Sequence, residues 1–409
     1  MTKLISKKQE IKNRIDLINK GDVPEGYKKR FGYIVPNDWD IVPIKKVVTQ
    51  IHRSVDKPNE PYYRLSVRSH AKGTFHSFVE DPETVAMEEL YKVKENDLIV
   101  NITFAWEHAI AIVKKEDDGL LVSHRFPTYE FNKNACVKFY ENIIKFPRIK
   151  KMLGDMSPGG AGRNRVLNQT DFYNKLYVPY ASRKEQEKIA EILSCCDKVI
   201  ELKEKLLDEK QKEFISAINK YIYDKNNNAN LKKIGDICDI LDNRRIPLND
   251  GERLYKKGEI PYYGANGILD YIDQYLFDED LVLLAEDGGY FDEYYKRPIA
   301  QYITGKSWIN NHAHILRAKN GENRYLYYAL IHKNILSILN GGGRAKLNQA
   351  DLKKIKIPYP EKNIQETIAR ILSKYEYKIG LLQQELEHYK QLKKSLSQLL
   401  LTGIVRTME

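Results

Sequence analysis

The chain writes one segment twice. Pro179-Tyr180, Gln186, Ile189-Ala190 and Ile192-Leu193-Ser194 recur 179 positions later as Pro358-Tyr359, Gln365, Ile368-Ala369 and Ile371-Leu372-Ser373. Just upstream, Leu167-Asn168-Gln169 and Asp171 return as Leu347-Asn348-Gln349 and Asp351, one residue out of that offset. Each copy runs into a long apolar stripe. The second passes through Ile368, Leu372, Tyr375, Ile379, Leu382, Leu386, Tyr389, Leu396 and Leu400, with steps alternating four and three and Lys393 as its break. That spacing is the heptad seam of a coiled coil, about five repeats long. The first copy keeps the register through Ile189, Leu193, Cys196, Ile200, Leu207, Phe214, Ala217 and Tyr221, broken at Lys203 and Lys210. A shared register across the offset predicts a duplicated unit with two long pairing helices.

The 409 residues, 42% of them apolar, suffice for more than one core. No apolar run approaches the roughly 18 residues of a membrane span, and the first ten residues lack a signal peptide's apolar centre. Cys136, Cys195, Cys196 and Cys238 form no CxxC pair, so neither a disulfide framework nor a zinc site is expected. A cytoplasmic location fits. The net charge of +11 suits an acidic partner. Residues 183–222 balance nine basic against nine acidic side chains, and 361–404 hold seven against five. Most of the excess therefore lies outside the helices, where a nucleic-acid surface would use it.

In chain order, residues 1–30 read as a basic amphipathic helix, with Leu4, Ile11, Ile15 and Ile18 on one face, followed by a charged linker at Tyr27–Arg30. The helix is either a solvated arm or packs on the end of a long helix. A β-rich mixed domain is expected over 31–180, with strands near 63–67, 98–102 and 109–113 and a helix over 138–151. Helical spacers follow at 181–223 and 361–409, and a second mixed domain at 224–360 after the polar run 224–230. Leu231-Lys-Lys-Ile echoes Ile44-Lys-Lys-Val, and Asn310-Asn-His312 can be laid on Val122-Ser-His124, so the two domains read as divergent copies of one fold.

Four stretches offer nucleic-acid chemistry. Arg68, Ser69, His70 and Lys72 crowd donors into one Gly-ended loop. Arg163, Asn164 and Arg165 close a glycine-rich run, and Arg344 and Lys346 follow its counterpart, Gly341-Gly-Gly. Tyr262, Tyr263 and Asn266 occupy a Gly-punctuated loop able to stack on or bond to bases, although tyrosines in strands are ordinarily core. Arg244 and Arg245 are counted with these donors, while His124 reads as a structural hydrogen-bonding residue.

No catalytic pattern emerges. Thr304-Gly-Lys-Ser307 approaches a Walker A motif, but Ala300 stands where its first glycine belongs. The pairs Glu286-Asp287 and Asp292-Glu293 have no evident metal-ligating companions, and no metal is expected.

Two dissimilar domains, each followed by a near-identical helix, resemble the specificity subunit of a type I restriction–modification enzyme. The resemblance rests on the paired Leu-Asn-Gln-x-Asp, Pro-Tyr and Gln-x-x-Ile-Ala-x-Ile-Leu sets, the 68–73 and 261–267 loops and Leu399-Leu-Leu-Thr-Gly403, and it spans essentially the whole chain. It implies an α+β chain with a pseudo-twofold internal repeat. Two globular target-recognition domains would be separated by two long antiparallel helices forming a coiled coil, with Ile189, Leu193, Ile200, Leu207 and Phe214 of one seam against Ile368, Leu372, Ile379, Leu386 and Leu400 of the other. It implies a non-catalytic subunit that reads a bipartite site on double-stranded DNA and docks two methyltransferase subunits. Those partners would use S-adenosylmethionine, and restriction endonuclease subunits would use ATP with Mg; no cofactor is expected on this chain. A coiled-coil scaffold with protein-binding ends, or a stand-alone nucleic-acid enzyme, are the alternative classes.

Overall fold

The computed structural model describes residues 2–160, 164–224, 230–339 and 345–407. It divides into two compact units, Met1–Glu201 with His388–Glu409, and Leu202–Glu387. Both long helices, α5 (Arg183–Ile218) and α10 (Lys362–Leu401), contribute to each unit, so the spacers are not bodies apart from the domains.

The first unit begins with α1 (Thr2–Lys20), whose Ile11, Ile15 and Ile18 are half-buried on one face. Arg14 donates to the Ile404 carbonyl at 3.1 Å and Tyr27 to that of Gly403 at 2.7 Å, just past the end of α10. Of the two expectations for this segment, docking is the one realised. Gly403 has φ +70°, and a Cβ there would lie 2.6 Å from Pro36, so the turn needs glycine. The expected linker at Tyr27–Arg30 is instead a strand, β1, paired with β2 (Tyr33–Pro36) through a turn at Phe31 and Gly32, both with positive φ. Two left-handed residues are what a tight hairpin requires, and the pair lacks the usual Asn-Gly signature.

Ten further strands follow: β3 (Asp40–Pro43), β4 (Val48–Ile51), β5 (Ser54–Asp56), β6 (Tyr62–Val67), β7 (Thr74–Val79), β8 (Glu89–Lys92), β9 (Leu98–Val100), β10 (Ile110–Ile112), β11 (Leu121–Val122) and β12 (Thr128–Phe131). They form an antiparallel sheet in the order β10-β9-β12-β4 and a mixed sheet in the order β5-β8-β11-β6-β7, with β11 parallel to β6. Strand alternation explains why β9 is apolar throughout. Leu98 and Val100 join the core of Trp39, Phe139, Tyr140 and Phe172, whereas Ile99 joins Leu65, Val67 and Val122 on the other face. The expected helix over 138–151 is two helices, α2 (Val137–Ile143) and α3 (Pro147–Asp155). Pro147 has no N–H to continue a helix, and it starts the second one at the position that tolerates it. After α4 (Gln169–Lys175), capped by Asn168 Oδ1 accepting from Asp171 N–H at 3.1 Å, β13 (Tyr177–Tyr180) pairs antiparallel with β3 and leads into α5.

The second unit repeats this plan. Its elements are β14 (Leu231–Lys233), α6 (Ile234–Ile237), β15 (Cys238–Ile240), α7 (Asp250–Tyr255), β16 (Lys257–Gly264), β17 (Gly267–Ile272), β18 (Phe277–Asp278), β19 (Leu281–Ala285), β20 (Ala300–Ile303), β21 (Lys306–Ile309), β22 (Ala313–Ala318), α8 (Asn323–Leu330), α9 (Gln349–Leu352) and β23 (Lys356–Pro358). The antiparallel sheet runs β15-β22-β19-β20 and the mixed sheet β17-β16-β21-β18, again with one parallel pair, β16 with β21. β14 pairs with β23 as β3 pairs with β13. In Thr304-Gly-Lys-Ser307 the first two residues link β20, in one sheet, to β21, in the other, and the last two already belong to β21, so the segment is not a phosphate loop.

Hydrogen bonds give the internal alignment residue by residue. Ile44 N–H donates to Leu176 O at 2.8 Å, and Ile234 N–H to Ile355 O at 2.9 Å. Ile44 therefore matches Ile234, correcting the echo that set Ile44 beside Leu231. Likewise Arg125 N–H meets Ser123 Oγ at 3.4 Å and His312 N–H meets Asn310 Oδ1 at 2.9 Å, which places Asn311, not His312, opposite His124. His124 is exposed, in the turn after β11, and is not the structural histidine of this unit.

Within each unit α5 and α10 touch. Lys393 pairs with Asp197 in the first, and in the second Lys203 pairs with Glu385 at 2.7 Å and the Phe214 ring lies 6.5 Å from that of Tyr375. In the second unit, contacts climb one helix as they descend the other, so the segments are antiparallel. Every residue of the two predicted seams is buried or half-buried, including the three lysines. The seam's outer parts also enter the domain cores. Ile189, Leu193 and Leu400 join one, and Phe214, Ile368 and Leu372 the other.

Candidate nucleic-acid interface

In the first unit the β6–β7 hairpin carries residues 68–73 at its tip. His70, Ala71 and Gly73 all have positive φ, and the tip is tied down by His70 N–H to Glu107 O and Ala71 N–H to His108 O, both at 2.8 Å. A side-chain bond joins it too, Ser69 Oγ donating to Glu107 Oε2 at 2.6 Å. The hairpin is thus fixed to the loop between β9 and β10, and a cleft of about 620 Å³ lies between them. Arg68 lines it, with its guanidinium 5.1 Å from the Phe75 ring centre, as do His70 and Lys72, all three exposed. Asn101, Phe104 and Phe126 supply the opposite side.

Sequence reasoning missed the residue that holds this loop. His108 is 4% exposed, has φ +72°, and its Nε2 lies 2.7 Å from the Ile144 carbonyl at the end of α2. Burial holds its pKa below the usual histidine range, so the ring is a neutral donor there. A histidine outside any periodic pattern gave no sequence signal.

Arg165 departs from its expected role. Its guanidinium donates to Ser157 O at 3.0 Å and Gly154 O at 2.8 Å and sits 5.2 Å from the Trp106 ring centre. It closes the glycine-rich run rather than facing outward. Asn164 is exposed; Arg163 lies outside the described residues, as do Gly341, Gly342, Gly343 and Arg344 of the counterpart run.

The second unit has the corresponding hairpin, β16–β17, tied to the corresponding loop by Asn266 Nδ2 donating to Gly288 O at 2.8 Å. Tyr262 is a core residue, 1% exposed, its hydroxyl accepting from Leu248 N–H at 3.0 Å, so it does not present its ring to a ligand. Tyr263 is half-buried, and burial raises its pKa first, with Tyr271 adding to it. Arg244 remains partly exposed over Phe277, with Leu276 O at 3.1 Å. Beside this hairpin a cleft of about 680 Å³ is lined by Asn249, Arg253, Asn310, Asn311 and His312 among others.

Arg245 is likewise structural. It bonds Glu286 at 2.7 Å and the carbonyls of Ala313 and Asp242 at 2.9 and 3.0 Å. Lys346 pairs with Glu286 from its other side at 3.2 Å. Next to them lies the buried pair of His314, Nδ1 to Asp242 at 2.7 Å and Nε2 to Leu347 O at 2.8 Å, with Gln349 donating to Asp242 at 3.0 Å. Burial alone would raise the Asp242 carboxyl, but the His314 bond and charge, Gln349 and the Ile315 N–H together hold it below its usual value. Glu286 thus finds the companions its sequence neighbourhood lacked. Asp242, Glu286 and His314 place ligand-type atoms within 4.8 Å of one another. Arg245 and Lys346 already neutralise Glu286, so the group works as an ionic staple between the sheet and the chain entering α9.

The profile of the family described as type I restriction modification DNA specificity domain matches this chain twice, over residues 36–210 and 226–391. A Haemophilus influenzae protein named for the specificity subunit of a type I restriction enzyme is 40% identical over 142 residues, 34% of this chain and 36% of that protein. A Methanocaldococcus jannaschii protein named for the MjaX specificity subunit is 23% identical across 93% of this chain and 97% of its own length. The crystal structure of a type I restriction–modification S subunit from M. genitalium superposes with a TM-score of 0.56 at 16% identity, covering 93% of this chain and 99% of that one. At that identity the likeness speaks for the fold alone.

Proposed function

Because the chain belongs to the type I restriction modification DNA specificity family, we propose that it is the non-catalytic reading subunit of such a complex, taking one half of a bipartite duplex site with each unit. The observation that carries this reading is the repeated frame. Both units hold a hairpin against the same loop beside a cleft, and the side chains lining the two clefts differ. One backbone plan with two side-chain sets suits two different words of DNA. The excess positive charge outside the helices supplies sequence-independent attraction to phosphates.

On this reading α5 and α10 form an antiparallel coiled coil that spans base pairs left unread and docks two methyltransferase subunits. Leu202, Leu206, Tyr377 and Leu381, exposed apolar residues on the helix segments of the second unit, support a docking role. S-adenosylmethionine would be bound by the methyltransferases, and ATP with Mg by the endonuclease subunits. Hydroxyl-radical footprinting of the chain co-purified with its methyltransferase tests the proposal. Two protected tracts with a gap are expected; one continuous tract, or none at low salt, overturns it.

A further inference from the structure

Matching hydrogen-bond chains run through the two units. In the first, Leu167 N–H donates to Ile102 O at 2.9 Å, and Ile102 N–H donates to Arg125 O at 3.0 Å. In the second, Leu347 N–H donates to Glu286 O and Glu286 N–H to His312 O, both at 2.8 Å. The capped turns at Ser123 and Asn310 complete the match, so Arg125 and His312 hold the same backbone position at the entry to β12 and β22. His312 lines the cleft of its unit, and Arg125 adjoins Phe126, which lines the other.

Their chemistry is opposite. Arg125 is exposed, and its guanidinium finds no acceptor among the described residues, so it offers a forked donor. His312 has Nδ1 2.6 Å from Asp287 Oδ1. A carboxylate oxygen only accepts, so the hydrogen of this contact sits on Nδ1, and in the tautomer that the bond selects Nε2 presents its lone pair, an acceptor. Asp287 replaces Thr103 at the matching position, so only the second unit has this orienting group.

The geometry points to Arg125 and His312 as the pair that makes the two half-sites differ at one equivalent position. Arg125 reads guanine through O6 and N7, and His312 reads an exocyclic amino group, adenine N6 or cytosine N4. This inference rests on the DNA-reading function above and adds the base class at one position of each word.

The test is selection of bound duplexes from a randomised library by the full chain co-purified with its methyltransferase. Two words separated by an unread gap for the unmodified chain establish the DNA-reading function; their absence counts against that function, independently of the two residues. Given the two words, Arg125→Ala should abolish a guanine preference at one position of one word, a loss of about 5- to 150-fold in discrimination. His312→Arg should replace an adenine or cytosine preference by guanine at one position of the other word, and the outcome distinguishes the two amino bases. His312→Gln, which keeps an acceptor, should hold the original preference. Unchanged words, changes in both words from one substitution, or a uniform loss of affinity for every sequence in all three variants would overturn the assignment.

Discussion

Gln186 and Gln365, 179 positions apart, make the same pair of bonds. Gln186 Oε1 accepts from Cys136 N–H at 2.8 Å while its Nε2 donates to Ala181 O at 2.8 Å. Gln365 Oε1 accepts from Glu322 N–H at 3.0 Å while its Nε2 donates to Pro360 O at 2.7 Å. Cys136 and Glu322 are the residues just before α2 and α8, so each glutamine fastens the start of a long helix to the start of a short domain helix. Tyr140 and Tyr325 add the next link, donating to Pro179 O and Pro358 O at 3.1 and 2.9 Å. What the sequence shows as a repeated motif is this joint between helix and domain.

Both glutamines are essentially fully buried. Gln186→Ala or Gln365→Ala leaves a buried N–H and a carbonyl without partners. Each should cost about 1–3 kcal/mol, read as a lowered denaturant midpoint for the unit that carries it.

The seam lysines and the seam leucines should separate cleanly. Lys203–Glu385 and Lys393–Asp197 are pairs with solvent-exposed acids, and double-mutant cycles should give each about 0–1 kcal/mol. Leu193→Ala and Leu372→Ala empty sites with no exposure and should cost about 2–5 kcal/mol. Urea unfolding of the two cycles and of the two leucine variants checks the order.

His108 links two elements through one bond. Its depressed folded pKa means that the unfolded chain binds the proton more readily, so this contribution to stability is present above the unfolded histidine pKa of about 6.5 and is lost as the pH falls through the lowered value. His108→Asn tolerates the positive φ but does not reach Ile144. It should unfold at lower denaturant at pH 8, with the difference from the unmodified chain shrinking as the pH is taken below 6.

Asp242 behaves in the same sense at lower pH. Its carboxylate is stabilised in the folded chain, so the contribution is full above the ordinary aspartate pKa of about 3.9 and falls away as the pH drops through the depressed value. Asp242→Asn should destabilise the second unit at pH 7, measured by thermal unfolding, because it removes the carboxylate that His314 Nδ1 and Gln349 Nε2 bond.

The heptad seam was legible because two long helices preserve spacing, and the burial of its residues follows the predicted register. The domains were legible only in outline. The offset between equivalent residues is 179 at Gln186 and Gln365, 180 at Leu167 and Leu347, 187 at Arg125 and His312, and 190 at Ile44 and Ile234. Loops of different length accumulate that drift, and side chains on the common frame have changed, so pairing Ile44 with Leu231 by sequence alone landed three residues away. Candidate site residues suffered for another reason. An arginine looks the same in sequence whether it stays exposed, as Arg68 does with one long bond of 3.4 Å to Thr74 O, or is half-buried on several carbonyls of its own fold, as Arg165 and Arg245 are. Composition carries the charge but not the direction in which it points.

Phosphate binding should show itself through salt. Arg68→Ala and Lys72→Ala each remove an exposed cation from the first hairpin tip. For every phosphate left without its cation, the slope of log affinity against log salt should fall by about 0.9, measured by fluorescence anisotropy of the co-purified complex on duplex DNA.

The central claim is that two copies of one frame read two separate words. Mapping methylated adenines across a genome, in cells expressing this chain with its methyltransferase, tests it most directly. Two short specific words flanking a gap of fixed length and arbitrary sequence are predicted. Methylation at a single uninterrupted word, or at sites unrelated in sequence, would contradict it.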